Sequence, residues 1–169
     1  RTAADCALFL DAMTGFDPRL FQSLEPPKVS FADEVARAEP PKRVAFAPDL
    51  GGLAPVEGEV AELLANAMKT LEGAGTAVEE TCPDLTGLME TYNTLRACAQ
   101  WAAPGHESEA VQQHYKQTLK ENIALGKALT AEEIITATRQ RSMLYNTMAR
   151  FMADFDALAC PIVGIGALP

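Results

Sequence analysis

Serine, histidine and basic charge are all scarce in this 169-residue chain, and each shortage closes off a class of function. The four serines are Ser23, Ser30, Ser108 and Ser142. None lies in a GxSxG elbow or an SxxK spacing, so no self-contained serine nucleophile with its base is readable here. Ser30 fits a helix cap instead, and Ser142 falls mid-helix. The two histidines, His106 and His114, stand eight residues apart, about 12 Å along a helix. Zinc-binding helices place two ligands four residues apart, so this pair reads as solvated. Lys plus Arg number 14 against 23 Asp plus Glu, a formal net charge of −9. Such a surface repels phosphate backbones and no basic stripe offsets it, which argues against nucleic acid as a partner. No apolar run approaches the ~18 to 20 residues of a membrane-spanning helix, which argues against a membrane partner. The four cysteines, Cys6, Cys82, Cys98 and Cys160, form no CxxC pair. Their apolar or helical settings predict reduced core thiols in a cytoplasmic protein. The chain opens at Arg1 rather than Met, so the lack of a leader within it carries no weight.

What is present describes a globular domain or a large part of one. Hydrophobic residues make up 48% and charged residues 22%, and a chain of this length can bury about 70% of its unfolded surface. Residues 2–13 predict a helix, with Thr2 as cap, Asp5 three residues on, and Gly15 as stop. Residues 16–42 form a proline-rich surface connection, in which Ser30 and Asp33 start a short helix to about Ala38. Residues 42–47 alternate as a strand closed by Pro48 and Gly51-Gly52. Val60, Leu63, Leu64, Ala67, Met68 and Leu71 then share one helical face, and Thr76 to Glu80 reads as a second strand. Strand, amphipathic helix and strand make a βαβ unit, so the class is α/β with the two strands parallel. A helix over 85–102 carries Leu88, Tyr92, Leu95 and Ala99 at helical spacing, and Pro104-Gly105 ends it. A more polar helix is expected over 108–125. Thr130 and Glu133 form a capping box for a helix reaching about Phe155, with Leu144, Met148, Phe151 and Phe155 as its apolar line. Residues 156–161 predict a further buried strand. Three strands are few for so many helices, and the chain reads as open at both ends.

The remaining signals are weaker. Asp49-Leu50-Gly51-Gly52 sits where a phosphate loop would lie but lacks GxGxxG and GKS/T, so it reads as a plain βα turn. Gly164-Ile165-Gly166 reads as a loop against a pocket or a neighbouring chain. The acidic pairs Glu79-Glu80 and Glu132-Glu133 fit solvated faces or helix starts. Trp101, the only tryptophan, reads as a core or interface anchor before a substrate contact.

Taken in order, the segments resemble the C-terminal half of the amidase signature family. The opening Arg1 to Met13 resembles the helix that follows the family's central catalytic segment. Lys42 to Phe46 with Asp49-Leu50-Gly51 and Pro55-Val56 resembles the next strand and helix, and Leu71 to Gly75 with Val78-Glu79-Glu80 the strand after it. Asn122-Ile123, Gly126, Leu129-Thr130-Ala131 and Arg141 resemble the approach to and body of the long helix, and Asp156 to Pro161 the strand beyond. The resemblance covers roughly residues 1–161. It implies an α/β fold in which this chain is one partial domain over 1–169, part of a mixed sheet flanked by helices and truncated at both ends.

The resemblance also implies hydrolysis of the carboxamide bond of small amides to carboxylate and ammonia. The family works through a serine nucleophile, a second serine on a cis peptide bond, a lysine, and backbone N–H groups as oxyanion hole. None of these has a matching position here, so no catalytic residue is carried over and the isolated chain is expected to be inactive. No cofactor and no metal are implied. The candidates for the substrate pocket are Trp101, Asn122, Pro161 and Ile162. The expected partner is a small-molecule amide, with a second copy of the chain as a homo-oligomeric cover for exposed apolar faces. Family members acting on misacylated tRNA carry a basic pair near the position of Glu121-Asn122. The acid and amide found there favour small neutral amides over the amidating component of a tRNA-dependent amidotransferase. Two alternatives stand beside this reading: that amidotransferase component, and a non-catalytic α/β interaction module.

Overall fold

The computed structural model describes residues 2–166, which fall into two compact units, residues 1–40 and 41–169. The first unit is two helices, α1 (Ala3–Met13) and α2 (Phe31–Ala36), packed on each other. Thr2 and Asp5 form a reciprocal capping box on α1: the Asp5 amide donates to Thr2 Oγ1 at 3.2 Å and the Thr2 amide to Asp5 Oδ2 at 2.8 Å. Asp11, on α1, accepts the first free amides of α2, Phe31 at 2.7 Å and Ala32 at 3.0 Å. Ser30 caps the same helix through the Asp33 amide. The proline-rich stretch therefore contains the short helix its capping residues predicted.

The second unit is built on a three-stranded parallel sheet of β1 (Arg43–Phe46), β2 (Ala77–Glu80) and β3 (Ala157–Ala159), ordered β2-β1-β3. Val44, Ala45, Phe46 and Ala47 are buried in an unbroken run, the pattern of a central parallel strand covered on both faces. The flanking β2 keeps Ala77, Glu79 and Glu80 exposed. Arg43 pairs with Ala77 and Phe46 with Glu80 across one side, while Val44 pairs with Ala157 across the other. At the entry to the sheet, Asp156 Oδ2 accepts from the Lys42 and Arg43 amides at 2.8 and 2.9 Å. Those two bonds hold its carboxyl below the usual range.

Between β1 and β2 runs α3 (Gly58–Gly73), and the rest of the unit is α4 (Leu88–Ala102), α5 (Glu109–Gln112), α6 (Gln117–Ala128) and α7 (Ala131–Phe151). The single polar helix expected over 108–125 is not formed. A 3₁₀ turn at Pro104–His106, the short α5 and the separate α6 replace it, with Lys116 extended at the α6 start. The cause is tertiary, because α6 must return across α4. A Cβ at Gly126 would lie 2.0 Å from the Ala97 carbonyl oxygen and 2.8 Å from Trp101 Cβ, so only glycine permits the approach. The Thr130–Glu133 capping box starts α7 as expected. That helix stops at Phe151, short of Phe155, whose ring turns back to stack on Phe151 at 5.0 Å.

The core is smaller than the composition predicts. Its buried apolar members in the second unit are Val44, Ala45, Phe46, Ala47, Ala97 and Ala137, the first unit by itself buries Ala7, and no large side chain is fully buried among the described residues. The expected face of α3 is only half covered, with Leu63 65% exposed. Cysteine placement also differs from expectation. All four thiols are free, but Cys6 and Cys160 are exposed and only Cys82 and Cys98 are half-buried.

Candidate functional site

In an open parallel sheet, ligands bind beyond the carboxyl ends of the strands, where connecting loops diverge. Here that edge is made by the segments after Phe46, Glu80 and Ala159. After β1 the chain turns sharply, with Leu50 at φ 54°, Gly51 at 71° and Gly52 at 83°. Leucine in that left-handed region is held against its own preference. The turn keeps close contact with the end of β2, since a Cβ at Gly51 would meet Cys82 Sγ at 3.5 Å. Burial is the main cause that pushes the Cys82 thiol up, with Asp49 and Cys160 adding to it. A thiol held protonated in this way is a poor nucleophile.

Above these strand ends α4 and α7 pack side by side, tied by Gln140 Nε2 donating to the Thr86 carbonyl at 3.1 Å. Between them opens an apolar groove of about 750 Å³. Leu50, Leu158 and Cys160 reach it from the strand ends, Leu88, Tyr92, Leu95 and Arg96 from α4, and Arg141, Leu144, Tyr145 and Met148 from α7. No serine, lysine, histidine or carboxylate lines it. The arrangement can take up an apolar body; the one thiol that lines it, Cys160, has no lysine, histidine or carboxylate beside it in the lining to act as a base. A more polar cavity adjoins it, lined by Gly51, Gly52, Asp84, Thr86 and Glu90 among others.

The four serines have structural settings. Ser23 Oγ accepts from the Asp17 amide, Ser30 caps α2, and Ser142 Oγ donates to the Thr138 carbonyl of its own helix. Ser108 stands at the start of α5 without a side-chain cap bond. Both histidines lie away from the groove, and His106 rests against Trp101 with ring centroids 5.5 Å apart. No group of three or more metal-ligating side chains occurs among the described residues.

None of the four candidate pocket residues lines the groove. Trp101 is half-buried at the end of α4, beside the 3₁₀ turn and Gly126. Asn122 turns its amide back to the Thr118 carbonyl at 2.8 Å. Pro161 is half-buried just past Cys160, while Ile162 is 98% exposed. The Gly164–Gly166 loop lies on the chain's own Pro55–Glu57: the Glu57 amide donates to the Gly164 carbonyl at 2.7 Å and the Gly166 amide to Glu57 Oε2 at 2.9 Å. The groove's walls were visible as periodic lines, Leu88-Tyr92-Leu95 and Leu144-Met148. Their meaning was not, because an apolar stripe reads the same whether a core or a cavity faces it.

Comparison with known proteins places this architecture. A family model described as Amidase matches residues 1–169. An acylamidase of Rhodococcus erythropolis is 27% identical over all of this chain and 36% of its own length. A glutamyl-tRNA(Gln) amidotransferase component from Pseudomonas fluorescens strain SBW25 is 34% identical over 47% of the chain and 16% of that protein. Among solved structures, a bacterial aryl acylamidase of the amidase signature enzymes superposes with a TM-score of 0.81 at 20% identity, over 99% of this chain and 36% of the other. The chain thus spans about a third of the length of the acylamidase relative it matches throughout.

Proposed function

The chain belongs to the amidase family, and from that premise we propose that it forms the C-terminal portion of a hydrolase acting on the carboxamide bond of small amides. In this reading the nucleophilic serine, its bridging serine and the lysine come from polypeptide outside these 169 residues. The serine attacks the carbonyl carbon, the C–N bond breaks as the leaving nitrogen takes a proton, and water releases the carboxylate. The present chain contributes sheet and one wall of the substrate cavity, as part of one larger domain in a cytoplasmic enzyme. The observation that carries the proposal is the conjunction of two facts. The family match runs the full length of the chain, and the strand-end groove is lined by no serine, lysine, histidine or carboxylate.

The test compares the chain alone with the chain joined to its upstream coding segment. p-Nitroaniline release from p-nitroacetanilide and labelling by a fluorophosphonate are the two readouts. The longer polypeptide is expected to show both and the chain alone neither. Turnover by the 169 residues alone would overturn the reading. The tRNA-dependent amidotransferase remains a second reading because of the identity over about half the chain. Against it, Glu121 accepts from Gln117 Nε2 at 3.0 Å and the net charge is −9, a poor surface for tRNA. Glutamine-dependent ammonia production that requires a second protein would favour it.

A further inference from the structure

Glutamate is an unusual choice for the N-cap of α3. Short side chains such as serine or aspartate cap helices because they reach back to the second or third amide. Glu57 makes no such bond. Its carboxylate instead accepts from the Gly166 amide at 2.9 Å, 109 residues along the chain, and its own amide donates to the Gly164 carbonyl at 2.7 Å. One residue thus supplies both halves of a reciprocal pair. The close seat needs glycine at 164, where a Cβ would lie 2.1 Å from the Pro55 carbonyl oxygen. At Gly166 a Cβ would make only ordinary contact, 3.6 Å from Glu57 Oε2. Residues 161–166 make no other hydrogen bond among the described residues, and Ile162, Val163 and Ile165 are exposed. Little apolar burial holds this segment down, so its polar contacts must.

We infer that residues 161–166 form a strap with a closed and an open state, and that Glu57 is the latch that keeps it closed. In the closed state the segment after β3 is tied to the segment after β1, so the two loops at the strand ends hold one another in place. Leu50 reaches the apolar groove from the first of these loops and Cys160 from the start of the second, while Glu57 lies outside the lining. Glu57 is therefore a positioning residue that acts through the loops. Opening breaks two hydrogen bonds and uncovers no core side chain, which puts it at the low end of local opening free energies. The inference concerns how the loops hold each other and stands whether or not the amidase reading does.

Amide exchange of the 169-residue chain, followed by NMR, tests the latch. In Glu57→Ser the new side chain can cap α3 but cannot span to Gly166. The informative probe is the amide of residue 57, whose own bond to the Gly164 carbonyl needs no side chain. Its protection factor should fall about fivefold, the loss of roughly one net hydrogen bond. The Ala61 amide, bonded to the carbonyl of residue 57 at 3.0 Å in the first turn of α3, should keep its protection or gain. Glu57→Gln retains an acceptor and should fall between. Gly164→Ala should unseat the strap with Glu57 untouched, and protection should drop at Gly166 and Glu57 alike; Gly166→Ala should lower neither. Unchanged protection at residue 57 in Glu57→Ser, a parallel loss at Ala61, or a strap that stays protected in Gly164→Ala each overturns the proposal.

Discussion

The two compact units are ordered by different physics. Residues 1–40 bury a single apolar side chain, Ala7, while Phe9, Leu20, Phe21 and Leu24 stay exposed. What shapes this unit is polar and local: the capping box at Thr2, the Asp11 carboxylate on the α2 amides, Ser30, and Asp17 with its bidentate hold on Arg19. Residues 41–169 instead order around a buried strand, and their polar contacts orient elements already packed. Caps contribute about 1 kcal/mol each, and a large buried aromatic several times that. The first unit is therefore expected to open at lower free energy than the second.

Several substitutions can break or sharpen that contrast. The largest effect is expected from Phe46→Ala, which empties the end of β1 and should cost the second unit about 3 to 5 kcal/mol in urea unfolding. Hydrogen exchange across residues 3–13 should be unchanged by it. A parallel loss of protection there would mean the two units unfold as one. Next is Gly126→Ala, whose new Cβ would clash with the Ala97 backbone and Trp101 Cβ. It should cost about 1 to 3 kcal/mol, with a shift in Trp101 fluorescence as α6 lifts from α4. Gly164→Ala, 2.1 Å from the Pro55 carbonyl oxygen, should act in the same sense without moving the tryptophan signal.

In the first unit, Asp11→Ala should cost about 1 kcal/mol. Its readout is faster exchange at the Phe31 and Ala32 amides, with the melt of the second unit unmoved. The smallest effect concerns pH. Asp156 has a folded pKa below its unfolded value, so its contribution is complete above the unfolded value, near about 3.9, and fades as pH falls through the lower folded one. Asp156→Asn should flatten that acid limb of the stability profile. A limb as steep as before would place the acid sensitivity elsewhere.

Much of this was legible from the residues. Thr2–Asp5, Ser30 and Thr130–Glu133 announced three helix starts because a cap is a contact between near neighbours. Residues 42–47 announced a strand, though as an alternating one, whereas Val44 to Ala47 are buried without a break; the βαβ spacing announced its parallel partner. The break in the polar helix at 113–116 was hidden, since its cause is the Ala97 backbone, far along the chain from Gly126. The candidate site residues are not gathered in one place by the fold. Trp101, Asn122, Pro161 and Ile162 lie outside the groove. Its two helical walls carry no joint signal, because they are distant in sequence and share a groove only when α4 and α7 pack.

Local chemistry alone was enough to set the helix boundaries at capped ends, the strand identities, the acidic surface and the want of any serine–base pair. These depend on contacts within a few residues, or on counts that folding cannot change. Only the folded chain decided which apolar stripes would be covered and which would face a cavity. Burial is a property of what lies opposite, and what lies opposite is chosen by residues far along the chain.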